Sequence, residues 1–325
     1  MSDFPLFTVV TPSYNQAQFL EQTMLSVLNQ DYPNLEYIVV DGASSDGSQE
    51  IIRKYADRLA WWVSEKDHGQ GEAINKGFAS AAGEFIAWLN SDDVYQPGAL
   101  SAAAEALQAH PEAAFVYSDV LAIDGENRVL NLMHYGNWSL DDLMTFHIIG
   151  QPGVFMRRSV LEKAGFLDPN YHYVLDVHLW LRMAQIAPIV HIPGILAAGR
   201  FHTLAKNIAA APRFGEESLK LVTWMQSQPG LAERYERNKR RIWAGAYRMN
   251  GRYQLDGGKA WPAIDSYARS FTNHPPTALS EWHRMVYALL CLVGLDRLKP
   301  VYYRLRHALR AGSLPQLQEF NPPKK

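Results

Sequence analysis

Phe85-Ile86-Ala87-Trp88-Leu89-Asn90-Ser91-Asp92-Asp93 is the stretch that decides how this chain is read. Five apolar residues in a row fit a strand buried on both faces, as in a sheet covered by helices on each side. The strand runs without a turn residue into an amide, a hydroxyl and two adjacent carboxylates. Working back toward the N-terminus, Phe7-Thr8-Val9-Val10 and Tyr37-Ile38-Val39-Val40 are similar β-branched runs, and Leu59 to Ser64 is a weaker one. Between them lie helical patterns over Ala17 to Gln30, Ser48 to Tyr55 and Gly71 to Ala82. Strands alternating with helices predict βαβ units, and so an α/β protein with a Rossmann-like, mainly parallel sheet flanked by helices.

In such sheets ligands bind outside the carboxyl ends of the strands. Three polar clusters fall there: Thr11-Pro12-Ser13-Tyr14-Asn15, Asp41-Gly42 and Asn90 to Asp93. Neighbouring carboxylates repel one another unless a cation offsets the charge, and oxygen ligands favour Mg²⁺ or Mn²⁺. The competing reading is a helix cap ahead of Pro97-Gly98. Asp41 could accept hydrogen bonds from a base or ribose, with Gly42 permitting close backbone approach. Asp46 and Ser48 read as caps of the following helix.

Further along, the pattern predicts a helix over Leu100 to Ala109 and a strand over Ala114 to Asp119. A hairpin follows around Asp124 to Asn127, then a strand over Gln151 to Arg157 and a helix over Leu175 to Ile186. Beyond Phe214 the periodicity is entirely helical: Glu216 to Gln226, Leu231 to Met249, Ala260 to Thr272 and Ala278 to Leu295. The expected organisation is a catalytic domain over 1–212 and a helical region over 213–325. Within the latter, Leu295 to Gly312 carries Arg297, Lys299, Arg304, Arg306, His307 and Arg310. That segment reads either as a basic amphipathic surface for anionic lipid or as a solvated helix face. Asn321 to Lys325 reads as a disordered tail.

Composition narrows the function classes. A net charge of −2 offers no basic field for nucleic acid, and Cys291, the sole cysteine, can build neither a disulfide within the chain nor a cysteine-rich zinc site. The first residues read as a buried strand rather than a secretory signal. The apolar run Met285 to Leu295 is short against the roughly 20 residues of a spanning helix. These features point to a cytoplasmic protein, at most peripheral at the inner face of the plasma membrane.

The chain resembles the family 2 glycosyltransferases of GT-A fold. The resemblance runs from Phe7 to about His202 and rests on Val10 to Asn15, Val40 to Gly47, Ser64-Glu65-Lys66-Asp67, Ala73-Ile74-Asn75-Lys76-Gly77, Gly83-Glu84 and Leu89 to Asp93. It implies an inverting, metal-dependent enzyme of hexosyltransferase type. Such an enzyme moves a sugar from a nucleotide-diphosphate donor, UDP on family grounds, to a hydroxyl of a glycan or lipid-linked acceptor in cell-surface polysaccharide synthesis.

The resemblance places Pro12, Ser13, Tyr14 and Asp41 around the base and ribose, and Asp67 and Lys76 near the nucleotide. Asn90, Ser91 and Asp92 would face the donor. Asp92 would hold Mn²⁺ or Mg²⁺, with Asp93 close by; Asn90 stands where many relatives carry the motif's first Asp. In Tyr173 to Arg182, Leu175 replaces a Glu and Asp176 occupies the position of the catalytic base. His178 points elsewhere on that helix. Arg200-Phe201-His202 resembles the family's Arg-x-His, which implies His202 at the metal or the diphosphate. Gln151-Pro152 either borders the acceptor or is only a turn.

Two other functions fit an α/β nucleotide protein. A sugar-1-phosphate nucleotidyltransferase would show a Gly- and Arg-rich loop after the first strand, which Thr11 to Gln16 lacks. A catalytically silent sugar-nucleotide-binding protein would have no need of both Asp92 and Asp176.

Overall fold

The computed structural model describes residues 4–202, 205–295, 315 and 317. They form two compact units. One comprises 4–139 and 149–200 with 315 and 317; the other comprises 140–148, 201–202 and 205–295. The basic segment from Arg297 to Arg310 and the tail from Asn321 lie outside the described residues.

The first unit is built on one sheet. Its elements are β1 (Phe7–Ser13), α1 (Ala17–Leu28), β2 (Leu35–Asp41), α2 (Ser48–Lys54), β3 (Trp61–Ser64), α3 (Gln70–Ser80), β4 (Phe85–Trp88), β5 (Val94–Tyr95) and α4 (Ala99–Ala109). β6 (Phe115–Ile123) and β7 (Val129–Met133) follow. After α5 (Leu140–Met144), which belongs to the second unit, come β8 (Val154–Arg157), α6 (Arg158–Ala164), α7 (Leu175–Ile186) and β9 (Ile189–Arg200). The strand order is β3-β2-β1-β4-β8-β6-β9-β5, with β7 on β6.

β1 to β4 pair in parallel, as the alternating pattern requires. β8 is antiparallel to both β4 and β6, so β6 and its parallel neighbour β9 run in the direction of β1 to β4. The sheet is therefore mixed, with its long strands pointing one way and β5, β7 and β8 the other. The residues that make β1 to β4 strands are those the core buries: Phe7, Val9, Tyr37, Val39, Phe85 and Ala87 share one cluster with Leu20, Met24 and Val27 of α1. Phe7 meets Tyr32, Phe85 and Phe155 edge-on, a geometry aromatic rings favour. α3 lies so close on the other side that a Cβ at Gly77 would sit 2.3 Å from Val10 Cγ1.

Two segments depart from the sequence reading. Gln151–Gly153 is a 3₁₀ turn, and only Val154–Arg157 is strand, because Pro152 has no N–H to give a ladder. β9 was not foreseen, because Pro193-Gly194 interrupts its apolar run. The structure accommodates that pair in a bulge: Tyr117 pairs with His191 and Asp119 with Ile195, leaving the residues between out of register.

The second unit continues with α8 (Lys206–Ala209), α9 (Ala211–Ser227), α10 (Ala232–Asp256), α11 (Ala260–Asn273), α12 (Pro275–Leu279) and α13 (Trp282–Leu292). The helix expected over Ala278 to Leu295 is thus divided, and Glu281 sits at the division, 5% exposed. Its carboxylate accepts hydrogen bonds from Arg248 Nη1 at 2.8 Å, from Arg252 and from Tyr267 Oη at 3.2 Å. It thereby joins α10, α11 and the start of α13. Burial alone would raise its pKa, but Arg252 and Arg248 outweigh that and hold it at about 2, below the usual 4.5.

A depressed carboxylate stabilises the fold above its unfolded pKa and loses that contribution as pH falls through the folded value. Here the contribution is of order 3 kcal/mol, complete above about pH 4.5 and lost toward pH 2. Glu281→Gln is expected to cost about 2–4 kcal/mol at neutral pH, since two partly buried guanidinium groups lose their counter-ion. It should also flatten the acid limb of the stability curve, measured by urea unfolding across pH.

Candidate active site

Because β1 to β4, β6 and β9 share a direction, their carboxyl ends share one edge. Ser13 is in register with Asp41, and Asp41 with Ser64. Leu89 continues from β4 alongside β1, donating to Val10 O at 2.9 Å. The last residue of β9, Arg200, is in register with Ile123 of β6. All three polar clusters of the sequence reading are on this edge.

At the β1–β2–β3 end, Asp41 is fully buried. Its Oδ1 accepts the hydroxyl of Ser44 at 2.5 Å; its Oδ2 accepts the Ser44 amide at 2.9 Å and the Ser64 hydroxyl at 2.6 Å. Ser44 Oγ in turn accepts the Asn15 amide, and Asn15 Oδ1 accepts the Ser45 amide. Asp41 therefore fixes the loop after β2 against the loop after β1. Pro12 is buried within β1, and Tyr14 projects, 64% exposed. Ser13 Oγ is buried with no hydrogen-bond partner among the described residues. A Cβ on Gly42 would lie 2.8 Å from Asp67 Oδ2 and 3.2 Å from Tyr14 Cδ2. The missing side chain is what lets Tyr14 and Asp67 close over the end of β2. The N-cap of α2 is Gly47 and Ser48 is its first residue; Asp46, just before the cap, accepts the Ser48 amide and also the Ala17 amide at the start of α1.

Two motif residues have structural partners. Lys76 pairs with Glu65 across the β3–α3 junction. Asn75 makes a two-way bond to the backbone of Leu167, 2.8 Å and 2.9 Å, which pins the turn that leads toward α7.

At the β4 end, Asn90 to Asp93 form a tight turn, Asp93 N donating to Asn90 O at 3.0 Å. Ser91 and Asp93 are buried and Asp92 is half-buried. Asn90 uses both ends of its amide. Oδ1 accepts Gln70 Nε2 at 2.7 Å, while Nδ2 donates to Gln151 Oε1 at 3.1 Å and to Asp93 Oδ2 at 3.3 Å. Gln151 also donates to Trp88 O at 2.8 Å. Burial and the neighbouring Asp92 push the Asp93 carboxyl well above the usual range, against the pull of the Arg200 N–H and the Asn90 amide.

Arg200 is the clamp of this turn. Its amide donates to Asp93 Oδ1 at 2.8 Å and its Nε to Asp92 O at 2.8 Å. Nη1 reaches Asp124 O and Asn127 Oδ1, Nη2 reaches Gln22 Oε1, and the guanidinium lies 4.7 Å over the Phe19 ring. One buried side chain thus ties α1, the β4 turn, and the ends of β6 and β9 together. Sequence reasoning paired Arg200 with His202 and did not assign it this role; nor did it single out Gln70.

Asp176 stands in the first turn of α7, half-buried, its Oδ1 accepting the Val177 amide at 2.8 Å. One turn on, Trp180 stacks on Trp88 with centroids 5.1 Å apart and also meets Phe115. That places α7, and Asp176 with it, on the face of the sheet beneath Trp88. His178 is buried against Tyr171. His202 falls in the second unit, its carbonyl accepting the Ala205 amide. Among the described residues no three His, Cys, Asp or Glu side chains converge as a metal cluster.

The sequence profile of Glycosyl transferase family 2 matches residues 8–164. The putative teichuronic acid biosynthesis glycosyltransferase TuaG of Bacillus subtilis (strain 168) is 32% identical over 186 residues, which is 56% of this chain and 73% of that protein. Against two further relatives the matched region spans 64% of their length. Among solved structures, the mannosyltransferase PcManGT from Pyrobaculum calidifontis, in complex with GDP-Man and Mn²⁺, aligns at a TM-score of 0.60 with 21% identity, covering 96% of this chain and 88% of that one. S. aureus TarS 1–349 in complex with UDP-GlcNAc aligns at 0.58 with 16% identity, covering 86% and 92%. At these identities the two structures bear on the fold alone, and they share it.

The β4 turn yields a direct test. Asn90→Asp would remove the donor to Asp93 and Gln151 and add a negative charge beside an already raised carboxyl. Stability that depends on a raised carboxyl fades as pH climbs through its folded pKa. The variant should therefore lose about 1–3 kcal/mol, and urea unfolding should show the loss growing with pH. A loss independent of pH would contradict the turn's electrostatics.

Proposed function

On the premise that this chain belongs to glycosyl transferase family 2, we propose that it moves a sugar from a nucleoside-diphosphate donor to a hydroxyl acceptor with inversion at the anomeric carbon. The observation that carries this reading is the meeting of Ser13, Asp41 and the Asn90–Asp93 turn on one strand-end edge, with Asp176 on the helix that stacks on β4. Ser13 supports a ligand there, since a buried hydroxyl without a partner costs about 1–3 kcal/mol unless something hydrogen-bonds to it. The base and ribose would lie along Pro12 to Tyr14, Asp41 and Asp67, which Gly42 allows to approach one another.

A divalent cation fits the donor chemistry of Asp92. The neighbouring Asp93 already spends its oxygens on Arg200 and Asn90, and Asn90 Oδ1 is held by Gln70. One carboxylate completed by substrate phosphates is how Mg²⁺ is commonly held, so a protein cage of three acids is not needed. When bound, Mn²⁺ or Mg²⁺ would offset the diphosphate charge and ease its departure. Gln70, Asn90 and Gln151 keep the turn in place, so that Asp92 is presented at a fixed position. Asp176 takes the proton of the acceptor hydroxyl; the oxygen bonds to the anomeric carbon as the bond to the diphosphate breaks, and the nucleoside diphosphate leaves. One base and one displacement give inversion.

Of the two donor nucleotides present in the aligned structures, UDP is our reading for this chain, with a glycan or lipid-linked acceptor in cell-surface polysaccharide synthesis. That acceptor class follows the teichuronic acid assignment of the Bacillus relative. The acceptor would approach near Gly150-Gln151, where Tyr135 and Trp138 stand together.

Thermal-shift screening of UDP- and GDP-sugars with and without Mn²⁺ should identify the donor, and Asp92→Asn should abolish the metal-dependent part of the shift. Asp176→Asn should leave donor affinity intact while transfer falls by about 10²–10⁴. Undiminished transfer would remove Asp176 as the base, and release of pyrophosphate instead of nucleoside diphosphate would favour a nucleotidyltransferase.

A further inference from the structure

α13 is apolar on two sides. Its inner side packs Met285, Ala288 and Cys291 with Leu255, Ala263 and Tyr267 in the core of the helical unit. Its outer side carries Trp282, Val286 and Leu289, followed by Val293 just past the helix end. These residues are spaced by four, three and four, with Leu292 beside them, and all are between 45% and 70% exposed. That spacing keeps them on one stripe, where a helix on the surface of a soluble protein normally shows polar residues.

Arg284, the one Lys or Arg in α13, pairs with Asp256 at 2.8 Å. No acidic residue occurs from Trp282 to Leu295, a stretch that includes His283 and Arg284. The sequence that follows supplies Arg297, Lys299, Arg304, Arg306, His307 and Arg310 against the single Asp296. A helix of this length reaches only about 16 Å, far short of a hydrocarbon core. Among the described residues no helix is long and apolar enough to cross a membrane. An apolar stripe followed in the sequence by a run of cations suits the boundary between headgroups and acyl chains, where apolar side chains are buried and basic ones meet anionic headgroups. A second copy of the chain is a poorer match. Four side chains on one short helix and Val293 after it fall well below the roughly 20–30 residues a side of a stable protein interface.

We propose that the outer face of α13 docks on an anionic lipid surface, with the helix lying in the plane of the interface. The inference uses neither the donor site nor the transfer reaction, so it stands or falls separately from the proposed function. The full chain should float with vesicles containing phosphatidylglycerol and not with phosphatidylcholine vesicles. The triple variant Val286→Ser, Leu289→Ser, Val293→Ser should reduce recovery by about tenfold or more. The substituted side chains face outward, so the melting temperature should hold; if it does not, Val293→Ser alone, beyond the helix end, should still lower recovery. Three results would overturn the proposal: no flotation with anionic vesicles, equal flotation with phosphatidylcholine, or full flotation of the stripe variants. A lipid-free dimer that the variants dissociate would likewise overturn it and assign the face to a second copy.

Discussion

Two carboxylates side by side at the end of a buried strand repel each other, and the rest of the site depends on how the fold contains Asp92 and Asp93. Asp93 is turned inward, where burial and its neighbour raise its pKa, and a backbone N–H and a side-chain amide hold it. Asp92 is left half-buried at the turn. We therefore propose different tasks for the two adjacent acids. In that reading Asp93 holds the turn, and Asp92 is the residue we assign to the cation.

That division requires distant chain to arrive at the same place. The N–H that holds Asp93 belongs to Arg200, at the end of the longest strand, and it is delivered by the parallel pairing of β6 with β9. The Arg200 guanidinium then fastens α1 and the loop after β6 to the same turn. Gln151 reaches the turn from the 3₁₀ segment before β8, whose antiparallel pairing with β4 and β6 sets its position. The antiparallel part of the sheet thus serves the chemistry that the parallel part presents.

Much of this was legible in the sequence, for identifiable reasons. β1 to β4 announce themselves because buried parallel strands are continuous β-branched and aromatic runs, and the polar residues ending them mark the edge. The start of α2 is local and was legible to within a residue: Gly47 is the cap, and Asp46 before it accepts the Ser48 amide. β9 was hidden because Pro193-Gly194 reads as a break, whereas the sheet absorbs the pair as a bulge opposite Ser118. The partners of Asn75, Asn90 and Arg200 were not legible either, because each bond closes across a long stretch of chain that no local periodicity records. The family resemblance named the motif residues but not these tasks. Lys76 pairs with Glu65 and Asn75 holds Leu167, contacts the motif itself does not announce.

The central claim is that the protein supplies one carboxylate to the cation and the nucleotide supplies the remainder. Electron paramagnetic resonance of Mn²⁺, titrated with and without nucleoside diphosphate, tests it most directly. Mn²⁺ should bind weakly to the protein alone and gain greatly in affinity when UDP or GDP is added, a gain lost in Asp92→Asn. Tight binding that ignores the nucleotide, or a nucleotide-dependent gain that survives Asp92→Asn, would contradict it.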